Sequence, residues 1–190
     1  LSLTSVPGGR VATTNQTATV YIPDSNGSIQ FDFATFSALE SAGSVPITIR
    51  RTGNTSGTVS VDYVITDGTA VNGVDYLGTN GTVTFFPGQT LTNFYITIIN
   101  DTLVEGNETV NLALANATGG LPLGGQNTAT LLIIDDDTAF QFAVTNFLVA
   151  ETGGAGSVTV YRLGLNNGTD TVDFTATNGT ATAGLDFIGV

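Results

Sequence analysis

The chain has 190 residues with four Arg, no Lys, sixteen acidic residues and a formal net charge of −12. Four scattered cations cannot form the basic stripe that nucleic-acid binding needs, and the absence of Cys, His, Met and Trp removes disulfides, thiolate or imidazole metal ligands and His-based triads. The acids are few and clustered rather than spread as a solvated coat, so their mutual repulsion calls for an external counter-ion, most naturally a divalent metal.

Residues 1–28 read as the tail of a repeat, because the chain aligns with itself from end to end at an offset of 111 residues. Leu1, Leu3, Gly8-Gly9, Thr17-Ala18-Thr19, Ile22 and Asp24 recur as Leu112, Leu114, Gly119-Gly120, Thr128-Ala129-Thr130, Ile133 and Asp135. Residues 29–139 form one complete repeat. Within it, short runs of Val, Ile, Thr, Phe and Tyr alternate with period two between Gly, Asn and Asp turns. They predict strands near 31–38, 45–51, 58–65, 81–86, 91–99, 108–115 and 128–134. Such a set predicts an all-β, Ig-like two-sheet antiparallel β-sandwich. Its expected inward set is Phe31, Phe33, Ile47, Ile49, Val59, Val61, Tyr63, Val83, Phe85, Phe94, Ile96, Ile98, Leu112, Leu114, Leu131 and Ile133. The Gly119-Gly120 and Gly124-Gly125 stretch reads as a hairpin loop rather than a phosphate cradle, since no helix follows it and no Lys is available.

Residues 140–190 repeat the first half of the unit: Gln30-Phe31, Phe36, Glu40, Arg51, Gly68-Thr69-Ala70 and Asp75 recur as Gln141-Phe142, Phe147, Glu151, Arg162, Gly179-Thr180-Ala181 and Asp186. Both ends fall inside a repeat, so a longer parent polypeptide is expected, with each half completed by the same chain or by a neighbouring one. No apolar run approaches a transmembrane span, and direct membrane insertion of this segment is not expected.

In chain order, Asp67-Gly68-Thr69-Ala70, Gly73, Asp75-Tyr76, Phe86-Pro87-Gly88, Ile98-Ile99-Asn100-Asp101, Glu105 with Glu108, and Asp135-Asp136-Asp137 make an ordered signature. It resembles the Calx-beta domain, a module of sodium/calcium exchangers, of an integrin β subunit and of large bacterial surface proteins. The likeness covers residues 29–137 and extends into both partial repeats. It implies calcium ions held at one end of the sandwich, beside the next domain, by Glu40, Asp75, Asn100, Asp101, Glu105, Glu108, Asp135, Asp136 and Asp137. Asn100 stands where a carboxylate is usual and Thr102 where a further acid is common, which implies a weak or missing ion there. The upstream copy has Asp24-Ser25-Asn26 in place of the triplet and is expected to bind calcium poorly.

Read from the residues alone, the same acids offer hard oxygen ligands. Calcium takes six to eight oxygens, and a carboxylate-dense flexible site favours it over magnesium. As the last strand frays, Asp135 to Asp137 can fan around an ion. The plain alternative is a set of solvated turn residues.

Nine Asn-x-Ser/Thr triplets occur, at Asn15, Asn26, Asn54, Asn80, Asn100, Asn107, Asn116, Asn167 and Asn178. They read as glycan acceptors in a secreted chain, or, at Asn80, Asn167 and Asn178, as Asn-Gly-Thr turn chemistry. The leading expectation is a non-catalytic structural or adhesive repeat of an extracellular or cell-surface filament, stiffened by calcium and partnered by neighbouring repeats or by copies of itself. The alternatives are a calcium-sensing regulatory module of a membrane protein and an accessory repeat of a large secreted hydrolase.

Overall fold

Period-two alternation of β-branched and aromatic residues folds the first repeat into nine strands in the computed structural model, which describes residues 27–165 and 168–189. The tail 1–26, with Asn15 and Asn26, and Asn167 lie outside the described residues. The strands are β1 (Ile29–Phe31), β2 (Thr35–Leu39), β3 (Ser44–Arg51), β4 (Val59–Asp67), β5 (Tyr76–Leu77), β6 (Gly81–Phe85), β7 (Leu91–Ile98), β8 (Glu108–Ala115) and β9 (Thr128–Ile134). One sheet has the order β1-β3-β7-β5 and the other β2-β9-β8-β4-β6. Side chains from the two inner faces interdigitate, with Phe31, Ile47, Ile49, Val61, Phe85, Ile96, Val110 and Leu131 at 0% exposure. Each such side chain contributes about 1.5–3 kcal/mol by leaving water.

Two features depart from the expected pattern. The single strand predicted over 31–38 is two strands in different sheets. β1 pairs antiparallel with β3, and after Asp32–Ala34 the chain crosses to pair β2 in parallel with β9, Thr35 against Thr130 through Leu39 against Ile134. The crossing turns Phe33 outward at 58% exposure and brings Phe36 inward at 9%. The two-residue β5 also escapes a period-based reading, yet its Tyr76 is 1% exposed. Tyr63 is half-buried and stacks on Phe94 with ring centroids 3.9 Å apart.

The expected boundary at 139–140 falls within the next strand. β10 (Thr138–Phe142) pairs antiparallel with β11 (Val160–Gly164), three residues after β9 ends. Phe142 and Val172, the equivalents of buried Phe31 and Val61, are 57% and 48% exposed. No helix among the described residues is long and apolar enough to cross a membrane.

Candidate metal centre

Register alone gathers the acids at one pole. Because β2 and β9 run parallel with Leu39 opposite Ile134, the residues that follow, Glu40 and Asp135, emerge side by side. β8 starts at Glu108 opposite Ile133, which adds a third carboxylate at that edge. On the facing sheet Tyr76 pairs with Ile98, and the Ile99 N–H donates to the Asp75 carbonyl at 2.9 Å. Asp75 therefore sits against the start of the 99–107 loop, which carries Asn100, Asp101 and Glu105.

The carboxylates resolve into two groups. Glu40, Asp135 and Asp137 each offer an oxygen within 4.8 Å of the others, as do Asp75, Glu105 and Glu108. Asp101 lies between them: its N–H donates to Glu40 Oε1 at 2.7 Å, and its own Oδ1 accepts the Leu103 N–H at 2.7 Å. Asp135 is the hub of the backbone. Its Oδ2 accepts the N–H groups of Glu105 (3.0 Å) and Gly106 (2.7 Å), and its Oδ1 accepts that of Asp137 (2.9 Å). Besides Asp101, two further sequence-derived residues stand outside both groups. Asp136 turns to Ser41, accepting from its N–H at 3.3 Å and its Oγ at 2.5 Å. Asn100 is exposed and donates to the Asp101 carbonyl at 3.2 Å.

The electrostatics are those of anions without a cation. Among the described residues the ion pairs are Arg50–Asp32 and Arg162–Asp170, both away from this pole. Burial first, then the Asp75 carboxylate and a hydrogen bond with it, pushes Glu108 up to about 7. Burial also raises Glu40, reinforced by Asp101, Asp137 and Asp135 and opposed by the Asp101 N–H. Glu105 and Asp137 are raised by desolvation and by their acidic neighbours. Glu40 and Asp135 are nearly buried, at 8% and 7% exposure, and Asp137 Oδ2 is buried without a hydrogen-bond partner.

This donor set fits calcium. An ion with Ca–O distances of about 2.3–2.6 Å spans opposed ligand oxygens roughly 4.6–5.2 Å apart, the scale of each trio. The ligands are all hard oxygens, and the orphaned Asp137 Oδ2 is an acceptor whose partner the protein does not supply.

The sequence missed the scaffold behind Asp75. Asp67 Oδ1 accepts from the Tyr76 hydroxyl at 2.7 Å and from the Asn72 N–H at 3.0 Å, while Asp75 Oδ2 accepts the Val71 N–H at 2.7 Å. The last bond recurs as Thr182 N–H to Asp186 Oδ2 at 2.8 Å, so a signal did exist in the shared Gly-Thr-Ala spacing. Of the glycan candidates, Asn54, Asn80, Asn100, Asn107, Asn116 and Asn178 are exposed. Five of them hold local structure through their side chains: Asn54 to the Ser56 N–H, Asn80 to Ile65, Asn100 to the Asp101 carbonyl, Asn116 to Asp62 and Asn178 to Ala183.

The family model described as "Calx-beta domain" matches residues 23–137 and again 134–190. The chain is 34% identical over 161 residues to the sodium/calcium exchanger Calx of Drosophila melanogaster, covering 84% of this chain and 17% of the exchanger. Against sodium/calcium exchanger 1 of Bos taurus it is 36% identical over 178 residues, covering 82% and 18%. The chain thus spans less than a fifth of the curated relatives it matches. Among solved structures, the apo-form Calx CBD1 domain superposes with a TM-score of 0.57 at 32% identity, covering 59% of this chain and 99% of that one. The calcium binding domain CBD12 of CALX1.1 gives 0.56 at 33% identity, covering 65% and 52%.

These relatives correct the leading expectation. The likeness runs to ion exchangers, so an adhesive filament repeat at an extracellular or cell-surface location is overturned. The misreading has a physical cause: Thr and Asn enrichment serves strand and turn formation in any compartment. The relatives lend no support to the glycan reading either.

Proposed function

The chain belongs to the Calx-beta domain family, and from that membership we propose that it is a non-catalytic, calcium-sensing regulatory module of an ion-exchanger-like membrane protein. The observation that carries the reading is the pole of six carboxylates in two trios, with no cation within it and one buried oxygen left unpartnered. We take residues 29–139 as the sensing repeat, flanked by 1–28 from an upstream repeat and 140–190 from the next. The junction is supported by the two family matches, which meet at 134–137.

The same residues would both hold the ion and join the repeats. Glu40, Asp135 and Asp137 with Asp101, and Asp75, Glu105 and Glu108, are the ligand candidates, and calcium would supply the charge that relieves their repulsion. Asp137 also reaches the following repeat through its main chain: its carbonyl accepts the Leu165 N–H at 3.1 Å, just beyond β11. Ordering Asp137 therefore orders the base of the β10–β11 hairpin, and occupancy passes to whatever that repeat is attached to.

Calorimetric titration of calcium into the 190-residue protein, with melting followed in parallel, tests this reading. Binding to the folded state at a hundredfold excess over Kd adds about 2.7 kcal/mol of stability. Wild type is expected to bind and to melt later, and a variant with Asp137→Asn and Glu108→Gln to do neither. Absence of both heat and thermal shift in the wild type would make the carboxylates solvated turns.

A further inference from the structure

At the pole opposite the carboxylates, the fold buries a cation to which the described residues give no counter-charge. Arg51 ends β3 and is 3% exposed. Its Nη1 and Nη2 donate to the carbonyls of Gly57 (2.8 Å) and Asn54 (2.6 Å), and its Nε is buried without a partner. Carbonyl dipoles satisfy hydrogen bonds without cancelling a charge, and a guanidinium has five N–H donors, of which these bonds occupy two.

The equivalent arginine of the following segment carries an ion pair that Arg51 lacks. The repeat offset places Arg162 on Arg51, and Arg162 clamps the Leu165 and Gly168 carbonyls at the same spacing, at 3.1 and 2.9 Å. There Asp170 completes an ion pair. The equivalent position in the first repeat is Val59, 2% exposed. The clamp is kept and the carboxylate is replaced by a methyl-bearing side chain.

Beside Arg51 lies an open cleft, with Asn54 and Ser56 on its own side, Gly27 at one edge and the Gly119–Pro122 loop across from it. A Cβ on Gly119 would meet Val59 Cγ1 at 2.5 Å and the Thr58 carbonyl at 2.8 Å, and its φ is 73°. Glycine therefore lets the loop lie directly against the start of β4. The loop has neither the helix nor the Lys of a nucleotide-phosphate cradle; β3 brings the charge to it instead.

We infer that this cleft is an oxyanion site, in which Arg51 binds one carboxylate, phosphate or sulfate group in the role that Asp170 fills for Arg162. Arginine suits such planar, multi-bonded recognition. β3 has eight residues and separates this pole from the carboxylates by roughly 25 Å, so the site is independent of calcium binding.

The test is a ¹H–¹⁵N NMR titration of the calcium-free 190-residue protein with sodium sulfate, phosphate or acetate against sodium chloride at matched ionic strength. Saturable shifts of the Arg51 Nε–H, Gly57, Gly119 and Gly120 signals, half-complete at roughly 1–10 mM, are expected with the oxyanions and not with chloride. Tighter response to acetate would identify a carboxylate as the preferred group, and tighter response to phosphate or sulfate a tetrahedral anion. Val59→Asp installs the internal counter-charge, and Ser56→Asp places one on the exposed loop without disturbing the core; each should weaken binding at least about tenfold. Unsaturable shifts, equal shifts with chloride, or unchanged binding in the folded Ser56→Asp protein would overturn the inference. Calcium titration of the same variants reads the other pole and separates failure here from failure there.

Discussion

Without calcium, raising the pH should weaken this protein through the interval where most domains are indifferent. Glu108 ionises near 4.5 in the unfolded chain and only at about 7 in the fold, so between those values the native state holds more protons than the unfolded one. Stability is then fully present below about pH 4.5 and is lost as pH rises through 7. The displacement corresponds to at most about 3.4 kcal/mol; because Glu108 is only half-buried, solvent screening leaves about 1–2 kcal/mol as the realistic share. Glu40, Glu105 and Asp137 move in the same direction. For a domain of this size the melting temperature should fall by roughly 4–10 °C between pH 5 and pH 8. Differential scanning calorimetry in metal-free buffer measures it, with Glu108→Gln as the control, which should flatten the profile and melt above wild type at pH 8. A melting temperature that is constant or rises over this range, or a Glu108→Gln profile identical to wild type, would refute the electrostatic account. Saturating calcium should remove the slope, since the ion takes the place of the protons.

Other perturbations separate ligand, scaffold and junction. Asp137→Asn removes the charge of a carboxylate whose own Oδ2 is buried and unpartnered; it should lower calcium affinity by about tenfold or more while raising the calcium-free melting temperature, read by calorimetry. Tyr76→Phe deletes the hydroxyl that donates to Asp67 and should cost about 1–2 kcal/mol in urea unfolding, with a few-fold loss of calcium affinity as the Asp75 loop loosens. Gly164→Ala puts a Cβ 2.1 Å from the Asp137 carbonyl at a φ of 85°. Faster hydrogen exchange across β10 and β11 is expected, with β3, β7 and β8 unchanged.

Much of this architecture is legible in the residues, and the exceptions have physical reasons. Alternation in 45–51, 91–98 and 128–134 exposes one apolar face to the core, so period two finds those strands and their inward sets. It fails at 31–38 because Phe31 and Phe33 share a parity that Phe36 breaks, and that break marks the crossing between sheets. β5 is too short to display any period. At the acidic pole, clustering of Asp and Glu was visible along the chain, but their division into two trios depends on Leu39 lying opposite Ile134 and Tyr76 opposite Ile98, which are long-range pairings. Asp136 follows the same logic: adjacent to two grouped residues in sequence, it is turned by strand alternation toward Ser41.

The parallel β2–β9 ladder also fixes how the module bears load. The chain enters at the Arg51 pole, where Ile29 pairs with Arg51, and leaves at the opposite pole after Ile134. Tension applied through the two ends therefore slides β2 and β9 past each other along their length, stressing the whole Thr35–Leu39 ladder at once. A hairpin pulled open from its ends, as β10–β11 would be from Thr138 and Gly164, yields bond by bond. Under an end-to-end pull the first repeat should act as a stiff mechanical element, its lifetime governed by the shear barrier of one short ladder rather than by its equilibrium stability.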